Sequence, residues 1–99
     1  MIAFVRTACI VPGKNASAMA FAHEVAAHIR KTQDVQLEVL RPIGGNPSRI
    51  AWSSRYKDLA AMEAFNTKLV ADKAYWELVG KHSDCFIAGS VNDSIWTTA

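Results

Sequence analysis

The sequence has little of what usually identifies a chemistry. Its two cysteines, Cys9 and Cys85, form no CxxC motif, and no serine has a histidine and an aspartate at a recognisable nucleophile spacing. Lysines and arginines are scattered and the net charge is only +2, which argues against nucleic-acid binding. No apolar run approaches the length of a membrane span. No cofactor motif is present either, so the sequence predicts a fold better than a function.

The N-terminal segment predicts a strand and not a targeting signal. Met1–Arg6 has no basic region ahead of its apolar residues, and Arg6 interrupts them. With two cysteines and no secretory signal, we expect free thiols and a cytoplasmic location. A disulfide or redox pair is the alternative. Cys9 ends the first predicted strand and Cys85 begins the last, and these strands should be antiparallel neighbours, which would bring the two thiols face to face.

Apolar residues are abundant for a chain of this length. They make up 51% of the 99 residues, which we expect to form a single domain over residues 1–99. A chain of this size buries only roughly 60–65% of its unfolded surface. Two helices and one sheet face need less apolar material than this, so the surplus indicates an oligomer interface.

The centre of the chain predicts a β-hairpin. Val35–Arg41 alternates apolar and polar residues, Pro42–Pro47 breaks the chain, and Arg49–Lys57 resumes the alternation. Since a one-residue slip would reverse every side chain, odd apolar positions of the first strand must lie beside even positions of the second. One such register places Asp34 opposite Lys57. The predicted apolar side carries Val35, Leu37, Val39, Ile50, Trp52 and Tyr56, and the opposite side carries Gln36, Glu38, Arg49 and Arg55.

A strand and a helix precede this hairpin. Ile2–Val11 is apolar almost throughout, and Lys14–Lys31 has the apolar spacing of an amphipathic helix. Asn15 or Ser17 is the expected N-cap. The helical apolar stripe consists of Ala18, Phe21, Ala22, Val25, Ala26 and Ile29.

Two helices and a strand follow the hairpin. Asp58 and Asp72 are the expected N-caps of a second helix and of a short third helix, which Gly80 would end in the left-handed conformation. Asp84–Trp96 is the expected last strand, with Gly89 as a bulge or a close backbone approach. The apolar side of the second helix would consist of Leu59, Met62, Phe65, Leu69 and Val70.

This order of elements predicts an α+β, ferredoxin-like fold. Two right-handed crossovers joined by a hairpin give βαββαβ, with a four-stranded antiparallel sheet in the order 4-1-3-2 and the helices on one face. The helix-free face would be covered most simply by a second copy of the chain, and Trp96 would pack against that copy.

Four segments carry a family resemblance. Pro12–Lys14, Tyr56–Phe65, Leu69–Tyr75 and Gly89–Ser94 resemble the dimeric α/β-barrel superfamily, and its NIPSNAP-type and antibiotic-biosynthesis-monooxygenase-type members above all. The resemblance covers nearly the whole chain and rests on turns and caps. It implies a homodimer with two sheets back to back, and a small ligand between each sheet and its helices.

The resemblance does not extend to haem degradation. The haem-degrading branch uses an Asn, a Trp and a His at positions that correspond to Arg6, Leu69 and Val79 here. None of the three residues matches, so we do not expect that activity.

Arg6 is the charge that most needs an explanation. It lies on the strand face that also carries the apolar side chains of Phe4 and Ala8, where a charge must be paired or face a wet cavity. It could anchor an anionic or carbonyl group of a ligand. The alternative is an ion pair with Asp or Glu, since the planar fork of arginine suits both roles.

Four further residues could line one cavity with Arg6. Trp52, Tyr56, Trp76 and His82 would give an aromatic wall with few polar groups, as a small-molecule pocket needs. The alternative is that these aromatics only fill the core. No metal site is expected, because His23 and His28 are spaced i, i+5 and face different sides of a helix; Glu24 and His28 would form an i, i+4 pair instead.

Three functions are therefore open. The first is binding of a small hydrophobic or aromatic molecule, with Arg6 or His82 as the polar anchor. The second is a cofactor-independent monooxygenase or isomerase acting on an aromatic or polycyclic substrate, with His82 near Asp84 as the general base. The third is a structural dimer whose pocket is filled by its own side chains.

Overall fold

The computed structural model covers residues 1–99 and shows one four-stranded antiparallel sheet with three α-helices. The elements in chain order are β1 (Ile2–Cys9), α1 (Asn15–Thr32), β2 (Leu37–Leu40), β3 (Arg49–Tyr56), α2 (Leu59–Val70), α3 (Lys73–Lys81), a 3₁₀ turn (Ser83–Cys85) and β4 (Asn92–Thr97). The sheet order is β2-β3-β1-β4. The predicted ferredoxin-like α+β fold and its strand order are confirmed.

The hairpin has the predicted parity. Leu37 pairs with Ser54 and Val39 pairs with Trp52, so odd positions of β2 lie beside even positions of β3. This register, extended backwards along the chain, would bring Asp34 opposite Lys57. However, β2 begins only at Leu37, so that pair is not part of the ladder.

Helix α1 closes over the sheet with the predicted stripe. Its buried residues are the six predicted from spacing: Ala18, Phe21, Ala22, Val25, Ala26 and Ile29. The predicted capping by Asn15 or Ser17 is wrong. The N-cap is Lys14, whose ammonium has no acceptor for a backbone N–H and therefore makes no capping bond. Its Nζ instead donates to Asp84 Oδ2 at 2.8 Å.

The two later helices begin at the predicted caps. Asp58 accepts from the backbone N–H of Ala61, and Asp72 accepts from that of Tyr75. The predicted stop at Gly80 is wrong, because α3 continues to Lys81 and Gly80 does not have a positive φ.

The segment before β4 also differs from the prediction. The strand begins at Asn92 and not at Asp84, because Ser83–Cys85 forms a 3₁₀ turn. Gly89 lies in the turn that follows, where its φ of +77° explains the glycine, and a Cβ there would meet no atom within 4 Å. Cys85 is buried in the core and Cys9 lies on β1, and both are free thiols.

The two faces of the sheet differ sharply. In the β1–β3 register Arg6 lies beside Trp52, and Trp52 points at α1, so even positions of both strands face the helices. Odd positions of β1 and β3 face away from the helices. Arg55 of β3 lies on that side as predicted, and so does Glu38 of β2, which pairs with Ser53. The helix-free face consists mainly of small side chains, together with Trp96: Ala3, Val5, Thr7, Cys9, Ala51, Ser53 and Ser94. None of the three helices has the length and apolar character needed to cross a bilayer.

Candidate functional site

A cavity of about 320 Å³ lies between the sheet and the helices, near the lower end of the size range of small-molecule pockets. Sixteen of its 20 lining residues are hydrophobic. The lining comes from the even positions of β1 and β3, from Leu37 of β2, from all three helices, and from the segment between α3 and β4. The space expected from the sequence is therefore present.

Arg6 lines this cavity and is also ion-paired. Its Nε donates to Asp93 Oδ1 at 2.7 Å and its Nη2 to Asp93 Oδ2 at 2.9 Å. The two residues are cross-strand neighbours on β1 and β4, so the sheet register holds the pair in place. The hydrogen bond to Asp93 raises the pKa of Arg6. Both interpretations of Arg6 thus describe part of its environment: it faces a cavity, and it has an acidic partner in the chain.

Tyr75 brings a second polar group to the same part of the wall. The Asp72 cap fixes the first turn of α3 and places Tyr75 in the cavity lining. Burial raises the pKa of the Tyr75 phenol, and the nearby Arg6 guanidinium offsets part of that rise. The phenol is therefore protonated at neutral pH and can donate a hydrogen bond. Tyr75 is not among the site residues predicted from the sequence, although it lies three residues after the predicted cap Asp72.

Ser54 and Tyr56 form a buried polar pair on β3. Ser54 Oγ donates to the Tyr56 hydroxyl oxygen at 3.0 Å. Burial raises the pKa of Tyr56. Both residues line the cavity, as expected for Tyr56, whereas Ser54 was not predicted. Its even position on β3, which the hairpin parity assigns to the helix face, is the signal that could have identified it.

Trp52 supplies an apolar wall and no free polar group. Its Nε1 donates to the backbone oxygen of Ala22 at 3.3 Å, which fixes the ring against α1. Phe21 packs edge-on to it with ring centroids 6.3 Å apart. Trp52 therefore offers a ligand only its aromatic surface.

Trp76 lies outside the cavity. It is 50% exposed, and its Nε1 donates to the backbone oxygen of Val70 at 2.8 Å. The side chain thus ties the end of α2 to the start of α3. The expected grouping with Trp52 and Tyr56 does not occur.

His82 also lies outside the cavity lining. It is the C-cap of α3, and its ring packs against that of Phe21 with the centroids 5.3 Å apart. Its Nε2 makes no hydrogen bond and lies 4.0 Å from a carboxylate oxygen of Glu24. Asp84, the expected partner, is paired with Lys14 instead. No histidine is thus positioned as a base on the cavity wall.

His28 has a different partner from the one predicted. Its Nε2 lies 2.7 Å from Asp72 Oδ2, so the expected pair with Glu24 does not form. The contact links α1 to the cap of α3 and contributes to the position of Tyr75.

A second cavity, of about 470 Å³, adjoins the first beneath α2. Five residues line both cavities: Phe4, Arg6, Tyr56, Phe65 and Leu69. Asp93 and Glu63 line the second cavity alone. The Arg6–Asp93 pair therefore stands at the boundary between the two spaces.

Comparison with known proteins shows similarity at the level of the fold. No protein-family model matches the chain, and no curated protein matches its sequence. A NIPSNAP family protein of unknown function from Agrobacterium tumefaciens has a TM-score of 0.83 at 17% identity, over 100% of this chain and 88% of that one. An uncharacterised NIPSNAP domain protein from Burkholderia xenovorans has a TM-score of 0.83 at 18% identity, over 100% and 95%.

An antibiotic biosynthesis monooxygenase-like protein from Nitrosomonas europaea is also similar. Its TM-score is 0.74 at 13% identity, over 99% of this chain and 98% of that one. At such identities the likeness shows the fold alone. For the fold, it confirms the resemblance that the turns and caps of the sequence indicated.

Proposed function

We propose that this protein binds a small, largely apolar, aromatic molecule between its sheet and its helices. The observation that carries the proposal is the cavity of about 320 Å³, whose wall is apolar apart from a few polar groups that include Arg6 and Tyr75. An apolar wall supplies affinity, and a few fixed polar groups supply orientation. The similar solved structures support only the architecture that frames this space.

A cavity-filling substitution tests the proposal. Val79 lines the cavity from α3, so Val79→Phe would place a ring in the space where the ligand is proposed to bind. Val70→Phe makes the same change at an exposed position of α2 outside the cavity. We expect 2-acetylnaphthalene to raise the unfolding temperature of the unchanged protein and of Val70→Phe, because a ligand of the native state stabilises it. Val79→Phe should lose this response.

Titration calorimetry on the same three proteins completes the test. Equal affinity of Val79→Phe and Val70→Phe for the ketone would place the binding site elsewhere. No binding to the unchanged protein would favour the third hypothesis, in which the dimer is purely structural.

We further propose a homodimer formed through the helix-free sheet face. Trp96 is 66% exposed there, and the neighbouring side chains of Ala3, Val5 and Ser94 are small enough for a second sheet to approach closely. Sedimentation velocity at micromolar concentration should show a dimer that Trp96→Glu dissociates. Leu59→Glu, a similar change at an exposed position of α2, should leave the dimer intact. A monomeric unchanged protein would contradict this proposal.

Monooxygenase activity is a second candidate, favoured by the similarity to the Nitrosomonas protein. The cavity wall carries no histidine, and the pKa values of Tyr56 and Tyr75 are raised, so these phenols are poor bases at neutral pH. Oxygen uptake with 1-naphthol in air, above that of the cavity-filling variant Val79→Phe, would support this function. Equal uptake by the two proteins would leave binding as the function.

A further inference from the structure

The arginine of the cavity is not a free cation. Its bond to Asp93 is bidentate, with two parallel N–H···O contacts of 2.7 and 2.9 Å. Such fork-to-fork pairs are among the stronger hydrogen-bonded contacts in proteins. The positive charge of Arg6 is therefore balanced before any ligand arrives.

The guanidinium nevertheless keeps donors for a further partner. Arginine has five N–H groups. Two of them bond to Asp93 and the Tyr75 hydroxyl oxygen is the partner of another, so two are left for a further acceptor. The neighbouring Tyr75 phenol adds an O–H donor to the same part of the wall. The cavity thus offers hydrogen-bond donors without a net positive charge.

The surrounding charges reinforce this balance. Arg6 is the only charged residue that lines the first cavity. The adjoining cavity contributes two carboxylates, Asp93 and Glu63, and no basic residue other than Arg6 itself. An anionic group that accepted from Arg6 would come close to the Asp93 carboxylate, and neither cavity lining has an unpaired cation to compensate for that repulsion.

We propose that Asp93 is a specificity residue that makes the cavity select neutral ligands. The preferred ligand carries a carbonyl or hydroxyl oxygen that accepts from Arg6 and Tyr75, and a carboxylate of the same shape is rejected. This inference rests on the proposed binding function and adds to it the charge class of the ligand. Asp93 acts through Arg6, because it neutralises the guanidinium without lining the first cavity itself.

A matched pair of probes tests the inference. 2-Acetylnaphthalene and 2-naphthoate have the same ring system and nearly the same shape, but only the second is charged at neutral pH. Calorimetry should show the ketone binding to the unchanged protein at least about tenfold more tightly, a difference that one unfavourable charge contact can supply.

Two variants identify the residue responsible. Asp93→Asn keeps an oxygen for Arg6 Nε and removes the negative charge, so the affinity for 2-naphthoate should rise about tenfold while that for the ketone changes by less than about threefold. Asp34→Asn makes the same change in net charge at an exposed residue outside both cavities and should behave like the unchanged protein.

Each outcome is informative. Tighter binding of 2-naphthoate to the unchanged protein would overturn the inference even if Asp93→Asn failed to fold. An unchanged ratio of affinities in a folded Asp93→Asn variant would overturn it while leaving the binding function in place. Absence of binding by both probes to all three proteins would overturn the binding function and the inference together.

Discussion

Helices α1 and α2 occupy corresponding places in the two halves of the fold, and they cover the sheet very differently. Helix α1 buries six residues, and three of them are alanines with no exposed surface. Helix α2 buries only Leu69, while Leu59 and Val70 are 57% and 58% exposed. Helix α1 therefore packs tightly on the sheet, whereas α2 packs loosely and leaves space beside it for the two cavities.

Side-chain size explains the contrast. Ala18, Ala22 and Ala26 allow the backbone of α1 to approach the sheet closely, as tight packing of a protein interior requires. The residues of α2 that face the sheet include the large side chains of Met62 and Phe65, which are only partly buried and line the second cavity. A helix held off by large side chains leaves a gap that its neighbours do not fill.

The largest expected effect comes from a pair of truncations, one on each helix. Ile29→Ala in α1 should lower the free energy of unfolding by about 2–5 kcal/mol, because it removes buried methyl groups and leaves a cavity. Val70→Ala in α2 should change it by less than about 0.5 kcal/mol, since the side chain is mostly exposed. Urea unfolding followed by circular dichroism measures both. Equal losses of unfolding free energy in the two variants would contradict the difference in burial between α1 and α2.

Capping gives the next largest effect. Asp58→Ala removes the bond to the backbone N–H of Ala61 and should cost about 0.5–2 kcal/mol. Ser17→Ala in α1 should be close to neutral, within about 0.5 kcal/mol, because Ser17 makes no capping bond. A large loss of unfolding free energy for Ser17→Ala in the same urea assay would indicate that Ser17 caps α1, as the sequence predicted.

The smallest effect is a pH dependence at the start of α3. The hydrogen bond from His28 lowers the pKa of Asp72 below its ordinary value of 3.8. A lowered native pKa stabilises the fold above the unfolded-state value, and that contribution is lost as the pH falls through the native value.

A comparison of two variants isolates this contribution. The stability difference between the unchanged protein and Asp72→Asn should therefore be present at pH 7 and shrink below about pH 4, near the ordinary aspartate pKa. Asp34→Asn, at an exposed aspartate without a partner, should show no such trend in urea unfolding. A difference that grew as the pH fell would contradict the role given to His28.

The fold was predictable because its signals are local. The parity of the hairpin follows from alternation, and the stripe of α1 follows from spacing; both are present in the structure. Asp58 and Asp72 were identified as caps because aspartate directly before a helical stretch is typical of an N-cap.

The site was less predictable because it depends on how distant segments meet. The bond between Arg6 and Asp93 requires the register of β1 against β4, and the sequence places the start of β4 eight residues too early. His82 lies outside the cavity because α3 continues past Gly80 and the 3₁₀ turn follows at once. No local pattern specifies either arrangement.

The distribution of the three tryptophans gives the protein its own optical reporters. Trp52 is almost wholly shielded on the wall of the first cavity, Trp76 lies at the junction of α2 and α3, and Trp96 lies on the helix-free face. An indole in an apolar setting emits at shorter wavelength than one in water. Variants that keep a single tryptophan would therefore test the proposals separately: Trp52 would respond to a ligand in the first cavity, Trp96 to association through the helix-free face, and Trp76 to neither.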